Sequence, residues 1–321
     1  MKRVAAISKW LHASLSVSRY RAHASRGLAV APRLAILLVA GAVLSAVTPA
    51  QYQIRVPVDL VNIDFSATDK NGRMVPALTA EDFTVEEDGK KQQVSMFARE
   101  RELPLTLALL VDISPSVEPV FEEEKRTAAG FLRSVLGKRD LALVIAFDRY
   151  VTLTQDYSEN LPSLTSAIEG LTLSKGGTSL FDAVYLASND KLAREAGRKA
   201  IVILSDGVDT TSRYDMGKAM IAAQKSNAVI YSISNSGSPR ALRVMSEETG
   251  GAFFKIDRKG DYEKIFDQIS LELRTQYSIA YHSSNPARDG KYRQIKIVPK
   301  NSNLLVRARK GYYAPTEASG R

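Results

Sequence analysis

The sequence predicts an α/β fold: a doubly wound, mainly parallel sheet flanked by helices, with a small β module formed by the segments before and after it. Three observations carry this reading. Residues 103–275 alternate short apolar runs with stretches of helical spacing, and the runs lack polar alternation, as expected of strands buried on both faces. Residues 51–102 and 276–314 instead show two-residue alternation bounded by turn dipeptides. Neither flank is long enough to bury a core alone, so the two are read as one module interrupted by the α/β domain.

With 321 residues the chain has room for two domains. Its net charge of +9 is misleading, because residues 1–50 hold seven Lys or Arg and no acid. The remainder has 37 basic against 35 acidic residues, which removes the bulk-charge argument for nucleic acid. There is no cysteine, so neither a disulfide nor a lipid-modified cysteine is available.

Residues 1–50 read as a signal peptide or leader. The uncharged stretch 34–47 follows basic residues and precedes Thr48-Pro-Ala-Gln51. It is shorter than the roughly 20 apolar residues of a spanning helix. A signal cleaved after Ala50 is the preferred reading, and an uncleaved anchor is the alternative. The implied location is secreted or periplasmic, with membrane contact only if the leader stays uncleaved.

In the first flank Val56, Val58 and Leu60 alternate, and Val61, Ile63 and Phe65 alternate in the other phase, so a bulge or bend is expected at 60/61. Asn71-Gly72 and Asp88-Gly89 are hairpin turns. Thr79 is set to cap one helical turn, and Phe83, Val85, Val94 and Met96 should face one core.

In the central part strands are expected at 105–112, 140–147, 200–206, 228–233 and 252–256. Helices are expected near 118–136, 160–169, 179–196, 215–226, 239–248 and 261–274. Residues 150–154 follow the second strand too closely for a crossover and read as an antiparallel edge strand. The acids Glu122 to Glu124 suit the positive end of the first helix dipole. In the last flank Tyr277, Ile279 and Tyr281 alternate, as do Ile295 and Ile297, followed by a strand at 305–308. Residues 315–321 read as a flexible tail.

The candidate site lies where the first buried strand ends. Asp112, Ser114 and Ser116 stand at alternate positions, aimed to one side. Small oxygen ligands at the carboxyl end of a buried strand suit a hard cation, although ordinary turns use the same residues. Asp206 ends another strand, in Ser205-Asp206-Gly207, and Gly176-Gly-Thr178 supplies a further hydroxyl on a loop whose glycines permit close approach. If the strands of Asp112 and Asp206 are neighbours, their carboxylates meet at the strand ends where such sheets bind ligands.

With these pieces in order, residues 103–275 resemble a von Willebrand factor A (VWFA) domain carrying a metal-ion-dependent adhesion site (MIDAS). All five family positions match: Asp112, Ser114 and Ser116 on the first loop, Thr178 on the second and Asp206 on the third. The resemblance implies a bound Mg²⁺, with Mn²⁺ or Ca²⁺ as possible substitutes, and a partner protein presenting Glu or Asp to the metal. Lys175 and Asp209 are candidates for the partner-binding rim, although Lys175 also reads as solvated and Asp209 as a turn residue. Thr178 reads as ligand, as N-cap of a helix starting at Ser179, or both. Outside this domain Val58-Asp-Leu-Val-Asn62, Thr79-Ala-Glu-Asp-Phe83, Glu87-Asp-Gly89 and Arg309-Lys-Gly-Tyr-Tyr313 are similar to a bacterial secreted group of VWFA-related proteins common in acidobacteria. In some relatives the last helix of the domain shifts on binding; here that would be 261–274.

No catalytic residues are assigned. Two of the three histidines, His12 and His23, lie in the leader, and His282 reads as surface. No serine has a base to activate it, and no zinc-protease or nucleophile-elbow motif occurs. The expected function is a metal-dependent adhesion-type module; the alternative is an envelope assembly factor whose metal only stabilises the loops. The basic residues Lys291, Arg293, Lys296, Lys300, Arg307, Arg309 and Lys310 read as the solvated face of strands, and no nucleic-acid partner is expected.

Overall fold

The computed structural model describes residues 60–99, 103–234, 240–256 and 261–317. The expected leader, with Val56 and Val58, lies outside them.

The chain opens with β1 (Leu60–Thr68), then β2 (Phe83–Glu87), β3 (Lys90–Gln92) and β4 (Val94–Arg99). Thr79 opens the single helical turn Ala80–Asp82, its N–H donating to Asp82 Oδ2 at 2.7 Å. Asp88 and Gly89, with φ of 47° and 77°, make the tight turn from β2 to β3.

The central part runs β5 (Leu105–Asp112), α1 (Phe121–Val135), β6 (Leu141–Phe147), β7 (Val151–Ser158), α2 (Leu161–Glu169) and α3 (Leu180–Tyr185). It continues through β8 (Arg198–Leu204), α4 (Met216–Ser226), β9 (Val229–Ser234), α5 (Arg240–Thr249), β10 (Phe253–Lys255) and α6 (Asp261–Thr275). Caps fix several ends. Asn160 and Asp215 accept from Ser163 N and Lys218 N, and Asn227 closes α4 in the left-handed conformation. The helix expected over 179–196 is not uniform: after α3 it widens into a π segment, Leu186–Lys191, and tightens into a 3₁₀ turn, Leu192–Arg194.

The chain ends with β11 (Tyr277–His282), β12 (Tyr292–Pro299), β13 (Leu305–Ala308) and β14 (Gly311–Tyr313).

Six strands form the central sheet in the order β10-β9-β8-β5-β6-β7, parallel except for β7. Every residue of β5 is buried. Leu107, Leu109 and Val111 pack with α1, α2 and α6 on one face, and Ala108 and Leu110 with α3, α4 and α5 on the other. The chain leaves β5 for β6 on one side and later returns to β8 on the other, so the switch point of the sheet lies between β5 and β8.

The two flanks join as expected. β1 pairs with β11 in the sheet β13-β1-β11-β4, and β12 pairs with β2 in the sheet β14-β12-β2-β3. Phe65, Phe83, Ile279 and Ile297 share one core between the two sheets. Met96 is a correction, being 61% exposed. The β4–β11 register slips by one residue, with Tyr281 opposite Val94 but Ala280 opposite Met96. This bulge shifts the inward phase from Met96 to Phe97, whose ring packs on Tyr277 at 5.5 Å.

The basic C-terminal strands also differ from expectation. Lys291, Lys296, Lys300 and Lys310 are exposed, but Arg293 is buried and paired with Asp289 at 2.8 Å. Arg307 pairs with the buried Glu272, and Arg309 bonds Asn227 Oδ1 and Asn62 O. The solvated-face reading fails for Arg307 and Arg309 because their strands lie against the α/β part, where a guanidinium satisfies carbonyls and carboxylates that lysine would reach less well, and for Arg293 because it turns onto Ala287 O and Asp289 of the preceding loop.

Candidate functional site

Three loops meet at the carboxyl ends of β5 and β8. Val111 lies opposite Leu204 in the parallel register, so the residues following each, Asp112 and Ser205, stand side by side. Ser205 Oγ donates to Asp112 Oδ2 at 2.6 Å, and Ser114 N donates to Asp112 Oδ1 at 2.9 Å. Both carboxylate oxygens are therefore engaged, which fixes the group's orientation. Asp112, Ser114, Thr178 and Asp206 are all buried, whereas Ser116 is exposed. Ser114 and Ser116 nevertheless bring their hydroxyl oxygens to 3.0 Å of each other.

The second loop is tied to both neighbours. Ser174 N donates to Ile113 O at 2.8 Å, and Thr210 N donates to Thr178 O at 2.8 Å. Thr178 N in turn donates to Thr210 Oγ1 at 2.8 Å. A Cβ on Gly177 would lie 2.7 Å from Thr210 Oγ1 and from Thr211 Cγ2, so this approach requires glycine. The third loop turns at Gly207, with φ of 80°, and Asp206 Oδ1 accepts from Val208 N at 2.9 Å.

Of the side-chain oxygens of these five residues, Thr178 Oγ1 and Asp206 Oδ2 carry no hydrogen bond among the described residues. The capping role considered for Thr178 is corrected. Helix α3 begins at Leu180, and Asp209 Oδ2 accepts its Phe181 N–H at 3.1 Å, leaving the Thr178 hydroxyl free. Asp209 also accepts from Ser212 Oγ at 2.5 Å, so its carboxylate is held inside the loop. Lys175 is exposed.

The electrostatics are those of a site short of positive charge. Burial pushes Asp112 above its ordinary carboxylate range; the hydrogen bonds from Ser205 and Ser114 oppose this, and repulsion from Asp206 adds to it. A third acid, Glu124, is fully buried in α1 with one oxygen unpartnered and the other accepting Tyr262 Oη at 2.5 Å. Burial, reinforced by Asp112 and Asp206, pushes it up to about 7 against the lowering effect of the Tyr262 bond. The sequence reading of Glu124 is a dipole partner; its place in the apolar stripe with Phe121, Ala128 and Phe131 is the signal that it turns inward.

This donor set suits a hard divalent ion. It combines carboxylates with three hydroxyls, and no basic side chain stands among the influences on Asp112. Among the described residues no group of three or more His, Cys, Asp or Glu side chains is placed to hold a metal ion.

The sequence model of the von Willebrand factor type A domain matches residues 106–268, half of the chain. The chain belongs to this family. VWA domains are generally interaction modules rather than enzymes, commonly mediate protein–protein contact and often bind a divalent metal at the MIDAS. A search of curated proteins finds no match.

Among solved structures, BatB from Bacteroides thetaiotaomicron is 17% identical, with 53% of this chain and 100% of that chain covered and a TM-score of 0.46. A von Willebrand factor type A protein from Catenulispora acidiphila is 13% identical, with 74% of each chain covered and a TM-score of 0.47. Proximal thread matrix protein 1 from the mussel byssus, solved with a zinc-occupied MIDAS motif, is 16% identical. There 58% of this chain and 49% of that chain are covered, with a TM-score of 0.47.

Proposed function

We propose that this VWA domain is an exported docking module in which a divalent cation, Mg²⁺ in the first place and Mn²⁺ or Ca²⁺ as substitutes, captures an acidic side chain of a partner protein. Asp112, Ser114, Ser116, Thr178 and Asp206 would hold the ion, directly or through water. Bound there, it would supply an incompletely neutralised charge open to an outside carboxylate. The observation that carries the reading is the pair of uncommitted oxygens, Thr178 Oγ1 and Asp206 Oδ2, beside the paired hydroxyls of Ser114 and Ser116. Export rests on the sequence of the leader. No helix among the described residues is long and apolar enough to cross a membrane.

The alternative, in which metal only stabilises the loops, is disfavoured by the protein's own bonds. Ser205–Asp112, Ser174–Ile113 and Thr178–Thr210 tie the three loops together through protein atoms. Loops organised in advance suit docking, because their ordering entropy is already spent before a partner arrives.

Thr178→Val separates the readings. Thr178 Oγ1 bonds nothing else, so the variant should fold with an unchanged melting temperature while Mg²⁺ affinity, measured calorimetrically, falls at least about tenfold. Loss of Mg²⁺ should also release any protein captured from envelope extract. If wild type takes up Mg²⁺ and melts higher but capture ignores chelator, the docking reading is wrong.

A further inference from the structure

A hollow of about 580 Å³ opens beside the metal loops, and the metal reading makes no use of it. Arg149, Tyr150, Tyr185, Thr211, Arg213 and Tyr214 wall it. It adjoins the second metal loop directly. Ser179, which follows Thr178, donates from Oγ to Arg149 O at 2.9 Å and lies 2.8 Å from Thr211 Oγ1. A Cβ on Gly176 would sit 3.1 Å from Arg149 Cβ.

The lining has the composition of a contact hot spot, where Tyr and Arg are enriched. Tyr150 is 69% exposed. Tyr185 and Tyr214 stack with centroids 4.0 Å apart, and Lys218 Nζ stands 5.9 Å from the Tyr214 ring. This pre-set stack offers a large contact area at low entropic cost. Arg149 and Arg213 are exposed, and neither guanidinium has a hydrogen-bond or ion-pair partner among the described residues.

Two acids also line the hollow, and both are engaged. Asp182 accepts the N–H groups of Arg213 and Tyr214 at 2.9 Å each, and Asp190 accepts from Asn189 Nδ2 at 2.6 Å. The two aspartates balance the two arginines in number, but Asp182 is turned onto backbone N–H groups, which leaves the guanidinium groups of Arg149 and Arg213 as the charged groups of the lining without a hydrogen-bond partner among the described residues.

We propose that the hollow is a second anchor for the protein segment whose carboxylate reaches the metal. A second acidic side chain of that segment binds Arg149 and Arg213, and an adjoining aromatic side chain packs on Tyr150 and the Tyr185–Tyr214 stack. The proposal rests on the docking reading above and specifies its partner as a doubly acidic, aromatic-bearing segment. Planar guanidinium groups suit carboxylates bidentately. A second contact within one segment gains from the high effective concentration set by the first. A protein segment fits better than an anionic polysaccharide because two unpaired guanidinium groups match a single acidic side chain and not a repeating charge.

The test uses the full chain and two fluorescein-labelled peptides, Gly-Glu-Gly-Tyr-Glu-Gly and Gly-Glu-Gly-Tyr-Gln-Gly, with anisotropy as readout. In Mg²⁺ the doubly acidic peptide should bind about tenfold more tightly than its twin, the scale of one hot-spot contact. Arg149→Gln/Arg213→Gln should erase that difference, leaving Mg²⁺ affinity within about twofold of wild type, as expected for exposed charges. Tyr150→Ser should weaken both peptides alike, and circular dichroism checks that each variant folds. In chelator the preference for the doubly acidic peptide should persist at lower affinity and remain sensitive to the arginine substitutions. Failure of the metal reading would then show separately, as absent Mg²⁺ uptake with the preference intact. Equal binding of the two peptides, an unchanged preference in the double arginine variant, or dextran sulfate binding that is lost in that variant without any peptide preference would each overturn the proposal.

Discussion

Glu124 stands in the first turn of α1, where an acid favours the helix dipole, yet its side chain is turned inward and fully buried. An acid held near 7 in the fold and near 4.5 when exposed keeps its proton longer in the folded state. The unfolded chain therefore releases the proton first as pH rises. Glu124 contributes its full stability below about pH 4.5, loses it progressively up to about pH 7, and changes little beyond. The difference amounts to roughly 3 kcal/mol across that window, an order of magnitude only. Glu124→Gln should flatten this fall, so that variant and wild type diverge in favour of the variant between pH 5 and 7.5 in urea titrations with chelator present. A wild-type stability that rises over the same window would count against the assignment. Tyr262→Phe removes the hydrogen bond that lowers the Glu124 value, and should shift the window to higher pH.

At the scale of elements, each strand end and loop that builds the candidate site has a local sequence signal. The unbroken apolar run of β5 and the Ser205-Asp206-Gly207 turn are short-range patterns, and strand–helix alternation makes both strands parallel members of one sheet, whereas their adjacency is shown by the register. Features that depend on one inserted residue or on a distant partner leave no such trace. The β4 bulge breaks a Val94/Met96 alternation that looked regular, and the π segment after α3 keeps ordinary helical spacing. The apolar stripe of α1 hints at the inward turn of Glu124, but its partner Tyr262 comes from the distant α6. Gly177 lies between these cases: its place in the motif is legible, and its reason is the approach of Thr210 and Thr211. Gly177→Ala should push the second loop off the third, lowering Mg²⁺ affinity severalfold and stability by about 1–3 kcal/mol, the usual cost of overpacking. Gly176→Ala meets Arg149 Cβ and Asp148 Oδ2, each at 3.1 Å, a looser approach than the 2.7 Å at Gly177, and should do less of both. Calorimetric Mg²⁺ titration of the two variants orders them directly.

At the scale of the whole molecule, the α/β part and the β module are joined by charges that the sequence disguised as a solvated basic face. β11 leaves α6 after a single residue and pairs with β1, so the end of the α/β part is continuous with the core of the module. Arg307 of β13 meets Glu272 of α6, which is buried and also accepts from Gln268 Nε2 at 3.1 Å. Arg309 reaches both parts at once, through Asn227 and the Asn62 carbonyl. Arg307→Met would leave Glu272 in the interior without its cation. The expected cost is about 2 kcal/mol, below that of a fully buried pair because Arg307 is partly exposed and Gln268 remains. Glu272→Gln/Arg307→Met should recover most of the loss, since two neutral groups of similar shape leave no orphaned charge. Because the joint runs through the last helix of the α/β part, the single variant should unfold in one cooperative transition at lower urea, detected alike by tyrosine fluorescence and far-ultraviolet dichroism. Two separated transitions would mean that the modules unfold independently and that this ion pair does not couple them.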